Sequence, residues 1–239
     1  MIRVLTIVNR FNLGGITSNV AFLAKYLSPE FESLIVGGEI DKNENSSIYM
    51  FEELGIKPII IPEMKRSINP GNDLAAFNKL KKIIKEFKPD IIHTHASKAG
   101  ILGRWAGYRS NVPVIIHTFH GHVFHSYFSP VKTAIVKSAE RSLAKISTAI
   151  VAVSEKQKNE ICNLHKIVPE EKIFVVPYGF DLEKFRVDKD LKREQFRNEY
   201  NIDPEEIAIG IIGRLVPIKN HSLFIDAIAH LKKHSNLPL

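Results

Sequence analysis

The sequence predicts a doubly wound α/β fold built on a parallel sheet. Three observations carry that prediction. Short runs rich in Ile and Val recur along the chain. Each is followed by a stretch of helical length with an amphipathic period. Several runs are apolar almost throughout, as in strands covered by helices on both faces, whereas a strand with one wet face alternates apolar and polar residues.

Taken in order, the expected strands are 3–9, 32–36, 58–61, 90–93, 114–118, 149–153 and 173–176. Helical periodicity falls between them at 16–27, 48–54, 74–87, 98–108, 131–145 and 155–164. After Val176 the texture changes. Pro177-Tyr178-Gly179-Phe180-Asp181 reads as a turn, and a charged helix follows over 189–200. An apolar run at 207–213 is expected to be a buried strand and 220–233 an amphipathic helix. One strand and one helix cannot bury a core of their own. The expected organisation is therefore a complete first domain at 1–180, then a linker and the truncated start of a second Rossmann-like domain at 181–239.

The 239 residues are 44% hydrophobic and 25% charged, the balance of a soluble globular protein. No apolar run approaches the roughly 20 residues of a transmembrane helix. The opening residues Ile2-Arg3-Val4-Leu5-Thr6-Ile7-Val8 read as a buried strand rather than a signal peptide. The lone cysteine, Cys162, excludes an internal disulfide framework and suits a reducing cytoplasm. The net charge of +7 points to an anionic partner. Nucleic acid, a phosphorylated substrate and an anionic membrane surface all fit it, as does a generally basic protein with no such partner, and no nucleic-acid signature is present. Lys79, Lys81, Lys82, Lys85 and Lys88 surround Leu80, Ile83, Ile84 and Phe87, giving either a membrane-facing basic helix or the solvated face of a packed one.

Ligands of doubly wound sheets bind beyond the carboxyl ends of the strands, so the residues there are the candidates. The first strand runs into Asn9-Arg10-Phe11-Asn12-Leu13-Gly14-Gly15. Two glycines let the backbone approach a ligand, and a helix start favours an anion. A tight strand-to-helix turn needs them equally, and the dinucleotide fingerprint GxGxxG is absent. The fourth strand ends in His93-Thr94-His95-Ala96-Ser97-Lys98. His93 reads as a packing histidine, and Lys98 as a phosphate or acceptor-hydroxyl partner or as a solvated lysine. The fifth ends in His117-Thr118-Phe119-His120-Gly121-His122-Val123-Phe124-His125, four histidines in nine positions. No Asp, Glu or Cys stands among them to complete a metal shell. Packing, metal binding and hydrogen bonding to a substrate remain open, the last weighing most. Arg214 and Lys219 bracket a loop ahead of the good N-cap Asn220. They form either a diphosphate clamp or two solvated charges.

Gly213-Arg214-Leu215-Val216-Pro217-Ile218-Lys219, Val175-Val176-Pro177-Tyr178-Gly179-Phe180-Asp181, Val153-Ser154-Glu155 and the pair His120-Gly121 follow one another in an order and spacing that resemble the retaining GT-B glycosyltransferases of family 4. The resemblance covers essentially the whole chain. It implies a sugar transferase using a nucleotide-sugar donor and a glycan or lipid-linked acceptor, with retention of configuration and without a cofactor or obligatory metal. It places His120 near the transferred sugar as the catalytic residue. Gly14, Gly15, Arg214 and Lys219 fall on the donor side, and Asn12, Lys98 and His122 on the acceptor side. A cytoplasmic enzyme of cell-surface polysaccharide synthesis, peripheral at the inner membrane face, is the expectation. Three departures stand out: Tyr178 where many members have Asn, Asn220 where many have Gly, and no paired-glutamate motif within these 239 residues. A nucleotide-sugar epimerase of the same fold, a non-catalytic sugar- or anion-binding module and an NAD-linked oxidoreductase are the alternatives.

Overall fold

The computed structural model describes residues 1–65, 67–121, 124, 129–213, 215–235 and 237–238. It divides into two units, Met1–Phe180 and Asp181–Leu239.

The first unit alternates strand and helix as the sequence predicts. Its elements are β1 Ile2–Arg10, α1 Gly15–Leu27, β2 Phe31–Gly38, α2 Ile48–Glu52, β3 Ile59–Ile60, α3 Pro70–Phe87, β4 Ile91–His95, α4 Ser97–Arg109, β5 Val114–Phe119, α5 Pro130–Ile146, β6 Ala149–Ala152, α6 Glu155–Asn159 and β7 Ile173–Val175. Helix α6 runs on as a π turn over Glu160–Leu164. The seven strands form one sheet in the order β3-β2-β1-β4-β5-β6-β7. Every pairing is parallel. The order reverses between β1 and β4, and that switch opens a crevice at the carboxyl ends of the strands.

Helices cover both faces. Leu5, Ile7, Val36 and Ile92 pack with Ala76, Leu80 and Ile84 of α3 and with Ala99 and Ala106 of α4. Val8 and Ile35 pack on the opposite face with Val20, Ala21 and Ala24 of α1 and Phe51 of α2. A third cluster joins Phe119, Ala152 and Ile150 to Ala144 of α5 and to Ile161. Burial on both faces explains why these strands lack polar alternation.

Helix α4 lies unusually close to the sheet. A Cβ on Gly100 would come 2.6 Å from His117 Cε1, one on Gly103 2.6 Å from Thr94 Cγ2, and one on Gly107 2.8 Å from Ile92 Cδ1. The three glycines form one helical stripe, since residues three and four apart share a face. The stripe lets the helix backbone sit on Thr94, Ile92 and His117, and so fixes where β4 and β5 end relative to the start of α4.

Arg104 of α4 and Glu140 of α5 form a buried ion pair at 2.7 Å. Arg104 is fully buried and its Nε also donates to Gly100 O at 2.8 Å. Helix α3 begins with an Asn69 cap accepting from Asn72 N at 3.0 Å and a Pro at its first position, as strong helix starts do.

The second unit contains, among the described residues, α7 Glu183–Arg186, α8 Lys189–Glu199, a 3-10 turn Pro217–Lys219 and α9 His221–His234. The strand expected at 207–213 does not form. A strand exists through its neighbour's ladder, and the single backbone bond from Ile207 N–H to Pro238 O at 2.7 Å does not make one. Ile212 is fully exposed and α9 buries no residue. The long apolar run marks strand chemistry without a strand. Among the described residues no helix is long and apolar enough to cross a membrane.

Candidate functional site

Strand alternation sorts the polar residues of β4 and β5 onto two faces. The register pairs His93 with Ile116, Thr94 with His117 and His95 with Thr118. Successive side chains point to opposite faces, so His93, His95, Thr118 and His120 share one and Thr94 and His117 the other. On the first face His93 Nε2 meets Thr118 Oγ1 at 2.7 Å, and the rings of His93 and His95 lie 4.1 Å apart. His95 Nδ1 meets His120 Nε2 at 2.8 Å, and His120 Nδ1 meets the Tyr178 hydroxyl at 2.6 Å. The His120 and Tyr178 rings stack within 5° of parallel. On the second face Thr94 donates to Ile116 O at 3.2 Å, so its oxygen accepts from His117 Nδ1–H at 2.9 Å.

Burial keeps all four rings neutral. Desolvation pushes His93 and His120 down to about 4, with the His120 imidazole adding to it at His93. Burial first, then the surrounding histidines, hold His95 well below the ordinary value. His117 is depressed by burial and then by the Arg104 guanidinium beneath it. At neutral pH the cluster therefore offers directed hydrogen bonds, not charge.

Positive potential comes instead from backbone. Ile16, Ala96, Ser97, His117, Thr118, Phe119, His120 and Gly121 line a cavity of about 230 Å³ beyond the carboxyl ends of β4 and β5. No side chain caps α1 or α4. Their first-turn N–H groups remain available, and a helix start carries about half a positive charge. One residue, Ala96, joins β4 to α4, at φ 68° and ψ 166°. Such backbone costs an L-residue on the order of 1–3 kcal/mol and concentrates at ligand sites. The arrangement suits an anionic, hydroxyl-rich ligand: open amides for phosphate oxygens and neutral imidazoles for hydroxyls.

The structure brings some of the expected residues here and not others. His120 lines the cavity, and Gly14 and Gly15 start the helix whose Ile16 lines it too. Asn12 lies in the same connection. Its carbonyl accepts from Thr17 Oγ1 at 2.8 Å, and it bridges to Ser46. Lys98 has a different place from the expected one. Its ammonium donates to Lys65 O at 2.7 Å and Ser67 O at 2.5 Å and pairs with Asp73 Oδ1 at 2.5 Å. Two of its protons and its charge are thus engaged inside the chain. Lys219 closes the exposed 3-10 turn of the second unit. Arg214 and His122 lie outside the described residues. Among the described residues no group of three or more His, Cys, Asp or Glu is placed to hold a metal.

Sequence reasoning missed His95, His117 and Tyr178 as members of the cluster. A signal existed for the first: His93 and His95 are two apart on a strand and must share a face. The pairing of Tyr178 with His120 spans 58 positions and had none.

Residues 13–184 match the domain described as Glycosyltransferase Family 4. The chain belongs to glycosyltransferase family 4. That match begins in the β1–α1 connection and includes every residue of the cavity. Among curated proteins, the chain is 32% identical over 216 residues to the UDP-Gal:alpha-D-GlcNAc-diphosphoundecaprenol alpha-1,3-galactosyltransferase of Escherichia coli, covering 87% of this chain and 54% of that protein. It is 29% identical over 185 residues to the capsular polysaccharide biosynthesis glycosyltransferase CapM of Staphylococcus aureus, covering 75% and 47%. The chain thus spans about half the length of these relatives. Among solved structures, a glycosyltransferase from Rickettsia africae superposes with a TM-score of 0.73 at 22% identity, covering 98% of this chain and 58% of that one. A UDP-GlcNAc 2-epimerase from Neisseria meningitidis gives 0.61 at 16% identity, covering 86% and 56%. At such identities both bear on fold alone, and both show it to be the GT-B type of Rossmann-like unit.

Proposed function

We propose that this family 4 protein transfers a sugar from a nucleotide-sugar donor to a lipid-linked glycan acceptor, with retention of configuration, in the assembly of cell-surface polysaccharide. The observation that carries the reading is the coincidence of the family match with the cavity at the sheet's switch point. The names of two relatives support the acceptor class: the Escherichia coli protein and a 26%-identical Campylobacter jejuni protein both act on diphospho-undecaprenol-linked sugars.

In this reading 1–180 is the acceptor-side domain and 181–239 opens the nucleotide-binding one. The leaving diphosphate gains negative charge as the sugar departs. Groups that bind this charge more tightly in the transition state than in the substrate accelerate the step. The open amides at Gly14-Gly15 serve that role from the first unit, and Arg214 and Lys219 from the second. His120 sits beside the transferred sugar as a neutral ring, its two nitrogens engaged by His95 and Tyr178 and its titration held below the ordinary range by burial. No divalent metal is required. A lipid-linked acceptor places the reaction at the inner face of the membrane, where the net charge of +7 favours an anionic surface.

The test is incubation of the protein, expressed from its native gene, with UDP-, GDP-, ADP- and CMP-sugars, with and without a diphospho-polyprenol-linked sugar acceptor and in the presence of EDTA. The proposal expects acceptor-dependent sugar incorporation from one nucleotide class, an α-configured product from an α-configured donor, and no effect of the chelator. Conversion of a donor to its epimer without acceptor would replace the reading with the epimerase alternative.

A further inference from the structure

We propose that Tyr178 contacts the ligand of this site directly, its phenol accepting a hydrogen bond from His120 and donating its own O–H to an oxygen of the bound sugar or diphosphate. The inference rests on the reading of the cavity as a sugar-transfer site.

The direction of the hydrogen bonds follows from one buried atom. His95 is fully buried, and its Nε2 has no partner among the described residues. A neutral imidazole carries its proton on one nitrogen only. If that proton were on His95 Nε2, a buried N–H would go unmet. Unmet buried N–H groups are rarer than unmet lone pairs. The proton therefore sits on His95 Nδ1 and is donated to His120 Nε2, 2.8 Å away. His120 must then carry its own proton on Nδ1 and donate it to the Tyr178 oxygen at 2.6 Å. The phenol has received one bond and still holds its proton. Burial raises its pKa, so it remains a donor across the physiological range.

The same chain of bonds leaves His120 with neither nitrogen free. Stacked on it, with ring centroids 5.7 Å apart, is the half-buried phenol, which stands next to cavity-lining His120 and is not itself among the lining residues of the cavity. Two neutral imidazoles in series fix the orientation of that phenol, because reversing one bond reverses the other. His95 acts through His120 and is a positioning residue.

Two measurements test this. The first is ring 15N spectroscopy of the histidines in the 239-residue chain near pH 7.5, which needs no substrate and no variant. The expected result is protonation at Nδ1 in both His95 and His120. Protonation at Nε2 in both would mean that Tyr178 donates inward, and would overturn the proposal whether or not the protein transfers sugar. The second is Tyr178→Phe in the active protein, with the donor identified above. An unchanged fold and a loss of about tenfold in kcat/KM are expected, the size of one hydrogen bond. Weakened binding of the free nucleoside diphosphate would place the contact on the diphosphate, and unchanged binding with slower transfer on the sugar. Full activity with unchanged nucleotide binding would refute the contact.

Discussion

Nδ1 of His95 lies 2.8 Å from Nε2 of His120, which ties the end of β4 to the residue following β5 by an imidazole–imidazole bond. His120 cannot gain a proton on Nε2 without placing two N–H groups face to face, and His95 could gain one only on its buried, unpartnered Nε2. The bond and the burial act in the same direction, and both resist acid.

That resistance has a sign and a window. His120 and His93 titrate at about 4 in the folded chain and near 6.5 when unfolded. Between those values the unfolded chain binds protons that the folded chain does not, so stability rises with pH. The contribution is fully present above pH 6.5 and is lost as pH falls toward 4. It amounts to something on the order of 3 kcal/mol for His120 alone. His95 and His117 add to it with the same sign. Urea midpoints at pH 7.5 and 4.5 check this. A strong fall is expected, and a smaller one in His120→Gln.

The Arg104–Glu140 pair is expected to be costly to break and cheap to replace. Removing one partner strands a buried charge, at about 3–5 kcal/mol, whereas an apolar pair of similar volume is close to neutral. Glu140→Gln should therefore lower the unfolding free energy by several kcal/mol. Arg104→Met combined with Glu140→Leu should recover most of it. Denaturant titration of the single and double variants decides the matter.

Gly103→Ala sets two effects against each other. A helix-interior alanine gains about 1 kcal/mol over glycine. The new Cβ would lie 2.6 Å from Thr94 Cγ2 and 2.8 Å from Ile7 Cδ1, contacts that require the helix to move. Overpacking of this kind costs about 1–3 kcal/mol. Because Thr94 also holds His117, the net effect is expected to be destabilising. A thermal midpoint lower by a few degrees is the predicted readout, and a raised midpoint would show that α4 is not pressed on the sheet.

Much of this was legible beforehand. The strands of the first unit stood out because burial on two faces leaves an unbroken apolar run, a one-dimensional signal; β3, with both residues exposed, stood out by composition alone. That His120 and Gly14-Gly15 lie beyond the carboxyl ends of strands was legible from where each apolar run stops. The contacts of Lys98 were not legible because they depend on Lys65, Ser67 and Asp73, whose approach is set by the path of the chain ahead of α3 and not by local pattern. The run at 207–213 has the composition of a strand, but strand formation depends on a neighbour, and composition does not supply one. Tyr178 joins His120 only through the return of the chain along β7.

Lys98→Met tests those contacts. Losing the ammonium leaves two carbonyls and a largely buried Asp73 carboxylate unpaired. A stability loss of about 1–3 kcal/mol is expected, with faster amide exchange over 63–73. If Lys98 served the acceptor instead, the acceptor KM would rise while stability and exchange stayed unchanged.

The central claim is that the cavity beyond β4 and β5 is where a sugar is transferred. Its most direct test is incorporation of radiolabelled sugar into a lipid-extractable diphospho-polyprenol product, comparing the wild-type protein with His120→Ala at matched folded concentration. The account predicts acceptor-dependent incorporation in the wild type and a loss of at least about tenfold in the variant, because removing the imidazole releases the Tyr178 phenol that it holds and leaves a gap in the cavity wall. Undiminished incorporation by His120→Ala would place the chemistry elsewhere in the protein.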